Sequence, residues 1–191
     1  MKLETLTKPQ VEELYKGRLV EDFPPNELKP LPIILKALDE GRYETLGLYE
    51  DGAIIGYVFL VKLGRDFLVD YLAVFPERRN KGAGGIMLSL IREHLKDAAN
   101  IICEVEDPEC AEDESQRSLQ ERRLFFYLRN GCVDTGVRVR TFGVPYIVLN
   151  LGKLEAESPE EIWELYESTY REILPENMFR GNIERTQKSD Q

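Results

Sequence analysis

Residues 67–95 run Phe67-Leu68-Val69-Asp70-Tyr71-Leu72-Ala73-Val74, Phe75-Pro76-Glu77, Arg78-Arg79-Asn80-Lys81-Gly82-Ala83-Gly84-Gly85, then Ile86-Met87-Leu88-Ser89-Leu90-Ile91-Arg92-Glu93-His94-Leu95. Seven of the first eight residues are apolar, the composition of a strand buried on both faces. The glycines that follow let the backbone turn its N–H groups toward a ligand with no Cβ in the way. An apolar helix starts at the same point, so its free N–H groups and positive dipole end face that ligand too. Arg78, Arg79 and Lys81 add positive charge. The stretch reads as strand, turn, anion-binding loop and helix. A plain strand-to-helix connection or another nucleotide loop are the competing readings. A dinucleotide fingerprint requires a third glycine where Met87 stands, and a P-loop requires Gly-Lys-Ser/Thr; neither is present.

Upstream, Leu3 to Leu6 suits a short first strand. Thr7 and Gln10 form a capping-box pattern before the stripe Val11, Leu14 and Tyr15, predicting a helix over Lys8 to Arg18. Residues 21–32 contain four prolines and exclude regular helix until about Pro32. A second helix follows from Pro32 to Glu40, stopped by Gly41. Tyr43–Tyr49 and Ala53–Leu63 flank Glu50-Asp51-Gly52, a hairpin signal. Gly64-Arg65-Asp66 turns the chain into the strand that opened this section, so three antiparallel strands lead into the glycine loop.

Downstream, the helix from Gly84 to about Ala98 is followed by the strand Ile101-Ile102-Cys103-Glu104-Val105-Glu106, reached by a parallel crossover. Alternation assigns Ile102, Glu104 and Glu106 to one face and Ile101, Cys103 and Val105 to the other. Glu104 to Glu114 holds seven acidic residues and no basic one, either a solvated loop or a clamp for a polycation. A helix from about Ser115 to Asn130 stops at Gly131, and Val133–Phe142 with Val144–Leu149 make a closing strand pair. After Gly152 the composition changes. Ser158-Pro159-Glu160-Glu161 caps a helix with Ile162, Leu165, Tyr166, Thr169, Tyr170 and Ile173 on one face. Either the domain itself or a second copy of the chain, in a homodimer, must cover that face. The last dozen residues read as a loose tail. Residues 1–152 are thus one domain and 153–191 a helical extension with a tail.

The chain has 191 residues, 42% apolar and 31% charged, enough for one domain with an ordinary core. No apolar run nears the roughly 20 residues of a membrane helix, and the first residues lack the apolar core of a secretory signal. Three cysteines (Cys103, Cys110, Cys132) and a single histidine support neither a disulfide framework nor a metal site, so a cytoplasmic location is the default. The net charge of −10 argues against nucleic acid and favours a cationic substrate such as an amine.

Arg79-Asn80-Lys81-Gly82-Ala83-Gly84 resembles the Q/R-x-x-G-x-G/A signature of the GNAT superfamily of N-acetyltransferases, and its strand-loop-helix setting matches as well. The order β-α-α-β-β-β-α-β-α-β-β over residues 1–151 is also that of the family. The resemblance implies an α+β fold of three layers, with a mixed, mostly antiparallel central sheet, helices on both faces, and here a C-terminal helical extension. It implies acetyl-CoA as co-substrate and no metal. Its pyrophosphate would lie on Arg79, Asn80, Lys81, Gly82, Ala83, Gly84 and Gly85, and its pantetheine would pair with Leu72, Ala73 and Val74. A backbone N–H near Val74 would polarise the thioester carbonyl. The family also implies that the connection holding Phe23 flanks the acceptor pocket.

Amine acetylation needs a base for the nucleophile and a proton for the leaving thiolate. Cys103-Glu104-Val105-Glu106 resembles the Leu-Glu-Val-Arg segment of ribosomal-protein N-terminal acetyltransferases, which implies Glu104 as the base. Glu106 and Asp70, the one polar residue of its strand, are substitutes on the acceptor side. Phe126-Tyr127-Leu128-Arg129-Asn130-Gly131 matches the family's tyrosine three residues before a helix-ending Asn-Gly, which implies Tyr127 as the acid. A non-catalytic acyl-CoA-binding module that interacts through its last helix is the alternative class. Two departures stand out. Pro108-Glu109 replaces the asparagine that often follows the fifth strand, and the segment before the Tyr127 helix is longer than in compact members.

Overall fold

Asp51 and Gly52 both take positive φ, 50° and 79°, as a hairpin turn matched to strand twist requires. This turn joins β2 (Tyr43–Glu50) to β3 (Ala53–Leu63). A second turn, with Gly64 at φ 62°, leads into β4 (Asp66–Val74). β1 (Lys2–Thr5) pairs antiparallel with β2 and starts the sheet. The computed structural model describes residues 1–156 and 158–186. Among the described residues the sheet has eight strands, in the order β1-β2-β3-β4-β5-β7-β6-β8. β5 is Asn100–Glu106, β6 Val133–Thr141, β7 Val144–Leu154 and β8 Ile183–Thr186. Among the described residues only the β4–β5 pairing is parallel; it is reached through the crossover helix α4 (Ala83–His94), numbered after three earlier helices.

Those three lie between β1 and β2. α1 (Lys8–Leu14) carries the Thr7/Gln10 capping box. The chain then widens into a π-helical turn, Tyr15–Leu19, before a last short turn α2 (Val20–Asp22) and helix α3 (Leu31–Asp39). The uninterrupted helix expected to Arg18 is therefore corrected. Gly17, a poor helix former with nothing within 4 Å of where a Cβ would stand, lies in the widened turn.

The two faces of the sheet are covered separately. Val11, Leu14, Leu19, Ile34 and Ala37 pack over Phe59, Leu68 and Ile102 on one face. α4 covers the other with Met87, Leu88 and Ile91, joined by Leu95 at its C-terminal cap, over Ile101, Cys103 and Val105. The alternation read from β5 is thus the one observed. α5 (Glu114–Arg129) lies beside α4, with Leu124, Phe126 and Tyr127 packed against that second core.

α6 (Pro159–Ile173) begins with the Ser158/Glu161 capping box. Its stripe of Ile162, Tyr166, Tyr170 and Ile173 is buried in the first core, over β3, β4 and β6 of the same chain. That face therefore presents no surface to a second copy. A short helix α7 (Glu176–Phe179) then leads to β8, which pairs with β6 from Arg138↔Thr186 to Thr141↔Ile183. The loose tail expected from residue 180 is corrected over 183–186, which form this edge strand; 187–191 lie outside the described residues.

Two local features open the sheet. Phe59 pairs with Tyr71 and Leu60 with Val69, so Asp70 is an extra residue, a β-bulge in β4. On its other side β4 pairs with β5 only from Asp66↔Asn100 to Val69↔Cys103. Past Val69 the two strands part, and the backbone of residues 70–74 has no sheet partner on the β5 side.

Candidate active site

The cleft begins where β4 and β5 separate. Asp70, Tyr71 and Leu72 come from β4, Glu104 from β5, Tyr127 from α5, Tyr146 from β7 and Tyr170 from α6. The proline-rich segment adds Phe23, Glu27 and Lys29. That segment is fixed by tyrosines. The Tyr71 hydroxyl donates to the Glu27 carbonyl at 2.9 Å and accepts the Lys29 N–H at 2.8 Å, while the Tyr15 hydroxyl donates to the Lys29 carbonyl at 3.0 Å. Phe23 packs edge-on to Tyr71, ring centres 5.0 Å apart. It is therefore at once a packing residue and part of the cleft wall.

Glu104 is half-buried, and each carboxylate oxygen receives one phenol. Tyr170 donates to Oε1 at 2.6 Å, and Tyr166 donates to Oε2. Tyr166 also shares a 2.6 Å hydrogen bond with the Thr141 hydroxyl, which locks the ring from behind. Burial raises the carboxyl and the two phenols pull it back; the balance stands at about 7. A carboxyl so poised is half ionised at neutral pH, the condition in which a general base works.

Asp70 is committed elsewhere. Its carboxylate receives the Lys29 ammonium at 2.5 Å and the Tyr43 hydroxyl, and Lys29 lies over the Tyr170 ring at 4.8 Å. Such pairing makes Asp70 a poor substitute base, though it remains on the cleft wall. Glu106 does not line the cleft with Glu104: its carboxylate is taken by Arg123 of α5. Two further members of the acidic run are also engaged. Asp107 is buried against Arg138 at 3.3 Å, and Asp113 caps α5 by accepting from the Gln116 N–H at 2.8 Å. Glu109, Glu112 and Glu114 stay exposed, as a solvated loop would have them. Glu27 instead adds a carboxyl to the cleft, raised by burial and held by Tyr146.

Tyr127 is aimed by the end of its helix. Gly131, at φ 84°, lets the Cys132 N–H reach the Tyr127 carbonyl at 3.1 Å and the Gly131 N–H reach the Leu128 carbonyl at 3.0 Å, a Schellman closure. This closure is the physical content of the Tyr-to-Asn-Gly spacing. Burial, with the nearby Cys103 and Cys132 thiols, pushes the phenol upward, so it stays protonated at neutral pH. Among the described residues no side chain is hydrogen-bonded to its hydroxyl.

The glycine loop lies at the open end of β4. Asn80 and Gly82 take left-handed backbone, φ 62° and 82°. The first hydrogen bond of α4 runs from the Ile86 N–H to the Gly82 carbonyl at 3.1 Å, so the N–H groups of Ala83, Gly84 and Gly85 point out of the helix end. A Cβ on Gly82 would meet nothing within 4 Å, whereas one on Gly84 would stand 2.9 Å from Phe126 and one on Gly85 2.6 Å from Asn130. The last two glycines therefore let α5 pack close, and Gly82 leaves open space at the helix end. Two of the three cations are ion-paired while still partly exposed. Arg79 donates to the Val74 carbonyl at 2.7 Å and to Asp22 at 2.8 Å, and Arg78 meets Glu50 at 2.9 Å. All three carry local partners, Lys81 through the Glu77 carbonyl at 3.3 Å, and all three leave positive charge beside the helix end. The space and the outward N–H groups suit a pyrophosphate.

Tyr146, Tyr166, Tyr170, Glu27 and Lys29 went unnoticed as site residues in the sequence. The hydroxyl-bearing residues Tyr166, Thr169 and Tyr170 inside an otherwise apolar stripe were the available signal, since buried phenols require partners. Among the described residues no group of three or more metal-ligating side chains occurs, and no helix is long and apolar enough to cross a membrane.

The profile of the acetyltransferase (GNAT) family matches residues 9–129. A GNAT-family protein from Bacteroides thetaiotaomicron superposes with a TM-score of 0.72 at 24% identity, covering 91% of this chain and 98% of its own. The ribosomal-protein-S18-alanine N-acetyltransferase of Escherichia coli superposes with a TM-score of 0.56 at 16% identity, covering 82% and 96%. An aminoglycoside 6'-N-acetyltransferase solved with coenzyme A gives 0.56 at 13% identity, covering 79% and 97%. At these identities the structures share the fold. No curated protein matches the sequence.

Proposed function

The chain belongs to the GNAT family of acetyltransferases, and on that basis we propose that it transfers the acetyl group of acetyl-CoA directly to an amine. The observation that carries this reading is the convergence of Glu104 and Tyr127 on one cleft beside the unpaired edge of β4. The outward N–H groups of Ala83, Gly84 and Gly85, with Lys81, suit the pyrophosphate, and the open backbone of Leu72, Ala73 and Val74 suits the pantetheine arm. That a relative of the same fold was solved with coenzyme A supports this assignment.

Glu104 accepts a proton from the amine, directly or through water. The nitrogen bonds to the acetyl carbon, the carbon–sulfur bond breaks, and Tyr127 gives its proton to the departing thiolate. Solvent restores both groups. Glu27 and Glu104, with Phe23, Tyr71 and Tyr146 around them, favour a cationic acceptor. The non-catalytic alternative loses its main support, because the α6 stripe it relied on is buried within the chain.

Calorimetric titration with acetyl-CoA, then turnover against a panel of amines, tests the proposal. Micromolar binding that is lost in Gly84→Glu and weakened in Lys81→Glu, with turnover of at least one amine, is the expected result. Absence of acetyl-CoA binding by folded wild-type protein would overturn it.

A further inference from the structure

The base assigned to Glu104 is held by residues that the family match does not reach: it ends at residue 129, and Tyr166 and Tyr170 lie on α6. A carboxylate offers about four lone-pair directions. One on each oxygen is filled by a phenol from α6, which fixes the rotation of the carboxylate and leaves the remaining directions for a proton donor in the cleft. Both phenols are themselves held. Tyr166 bonds Thr141, its ring stacks on Trp163 at 6.1 Å, and the rings of Tyr166 and Tyr170 lie 5.1 Å apart. Both tyrosines are essentially buried, at 0% and 1% exposure.

We infer that Tyr166 and Tyr170 are positioning residues of the acetyl-transfer site: the C-terminal helix orients the Glu104 carboxylate by giving each of its oxygens one phenol hydrogen bond. The inference rests on the reading of Glu104 as the base. Burial alone favours the protonated carboxyl, in which form Glu104 cannot accept a proton. The other groups facing it do not replace the phenols. Lys29 favours the ionised carboxyl, but it makes no hydrogen bond to it and is paired with Asp70, which opposes ionisation. Tyr43 donates to Asp70, Tyr71 to the Glu27 carbonyl, and Tyr146 is bonded to Glu27. Cys103, on the same strand, is a buried thiol facing the other core. Of the described groups, only the α6 tyrosines donate hydrogen bonds to Glu104.

The test is a titration of the protein alone, labelled with ¹³C-glutamate and followed by NMR, with Glu104→Gln identifying the resonance. Tyr166→Phe and Tyr170→Phe remove one donor each and are expected to raise the Glu104 midpoint by about one unit apiece. Each unit leaves tenfold less ionised carboxylate below the midpoint. Ile173→Val loosens α6 without touching the carboxylate; it should lower the melting temperature and leave the midpoint in place. With an amine from the panel, the acid limb of kcat/KM should move with the midpoint while KM for acetyl-CoA holds. A tyrosine whose removal leaves the midpoint unmoved has no such role, and two such results overturn the inference. If the midpoints move but no amine is acetylated, the proposed function fails and the tuning of Glu104 stands.

Discussion

Lys29 and Asp70 meet at 2.5 Å with side chains 6% and 1% exposed, and Asp70 is the bulged residue that parts β4 from its register with β3. The pair therefore pins the proline-rich segment to the point where the cleft starts. Removing one partner of a buried pair strands the other charge. Asp70→Asn is expected to cost about 3 kcal/mol in chemical denaturation, and Lys29→Met/Asp70→Leu together less than that single change. A single change costing under about 0.5 kcal/mol would show that solvent reaches the pair.

Glu104 sets a pH dependence of stability. Its carboxyl stands at about 7 in the fold against 4.5 as an ordinary glutamate, so folding favours the protonated form. The stability this group contributes is full below about pH 4.5 and lost as pH rises through 7. Glu104→Gln cannot ionise there. Its stability relative to wild type should rise across that window by roughly 3 kcal/mol. Melting curves from pH 5 to pH 8 that run parallel for the two proteins would contradict the raised carboxyl.

Tyr127→Phe keeps the ring and removes the proton. The chemical step should slow roughly 100-fold, the scale of a lost general acid, with acetyl-CoA affinity unchanged by calorimetry. An unaffected single-turnover rate would remove Tyr127 from the acid role.

Gly82→Ala adds a methyl group into open space, yet the backbone there sits at φ 82°. About 1–2 kcal/mol of destabilisation is expected from conformation alone. Gly17→Ala, also in open space but without positive φ, should be neutral or stabilising. Urea denaturation of the two variants isolates the cost of positive φ, since neither methyl group is crowded.

Much of this architecture was legible because its signals are local. Asp51-Gly52 specifies a turn, the alternation of β5 specifies its faces, and Ser158-Pro159-Glu160-Glu161 specifies the start of a helix; each is settled within a few residues. The bulge at Asp70 and the divergence of β4 from β5 are not local, since both depend on register against another strand. The same holds within the site. Glu104 and Tyr127 stand out as candidates within short segments, whereas the pairing of Lys29 with Asp70 and of α6 with Glu104 joins residues far apart in the chain. Charge partners are not local either: Arg78 with Glu50, Arg79 with Asp22, Glu106 with Arg123 and Asp107 with Arg138 each join residues distant in sequence.

The position of α6 makes one side of the molecule depend on the end of the chain. Tyr166 and Tyr170 are among its largest fully buried side chains, and they come from a helix that starts only at Pro159. A chain stopped before α6 would leave the face of β3, β4 and β6 uncovered and the Glu104 carboxylate without either phenol.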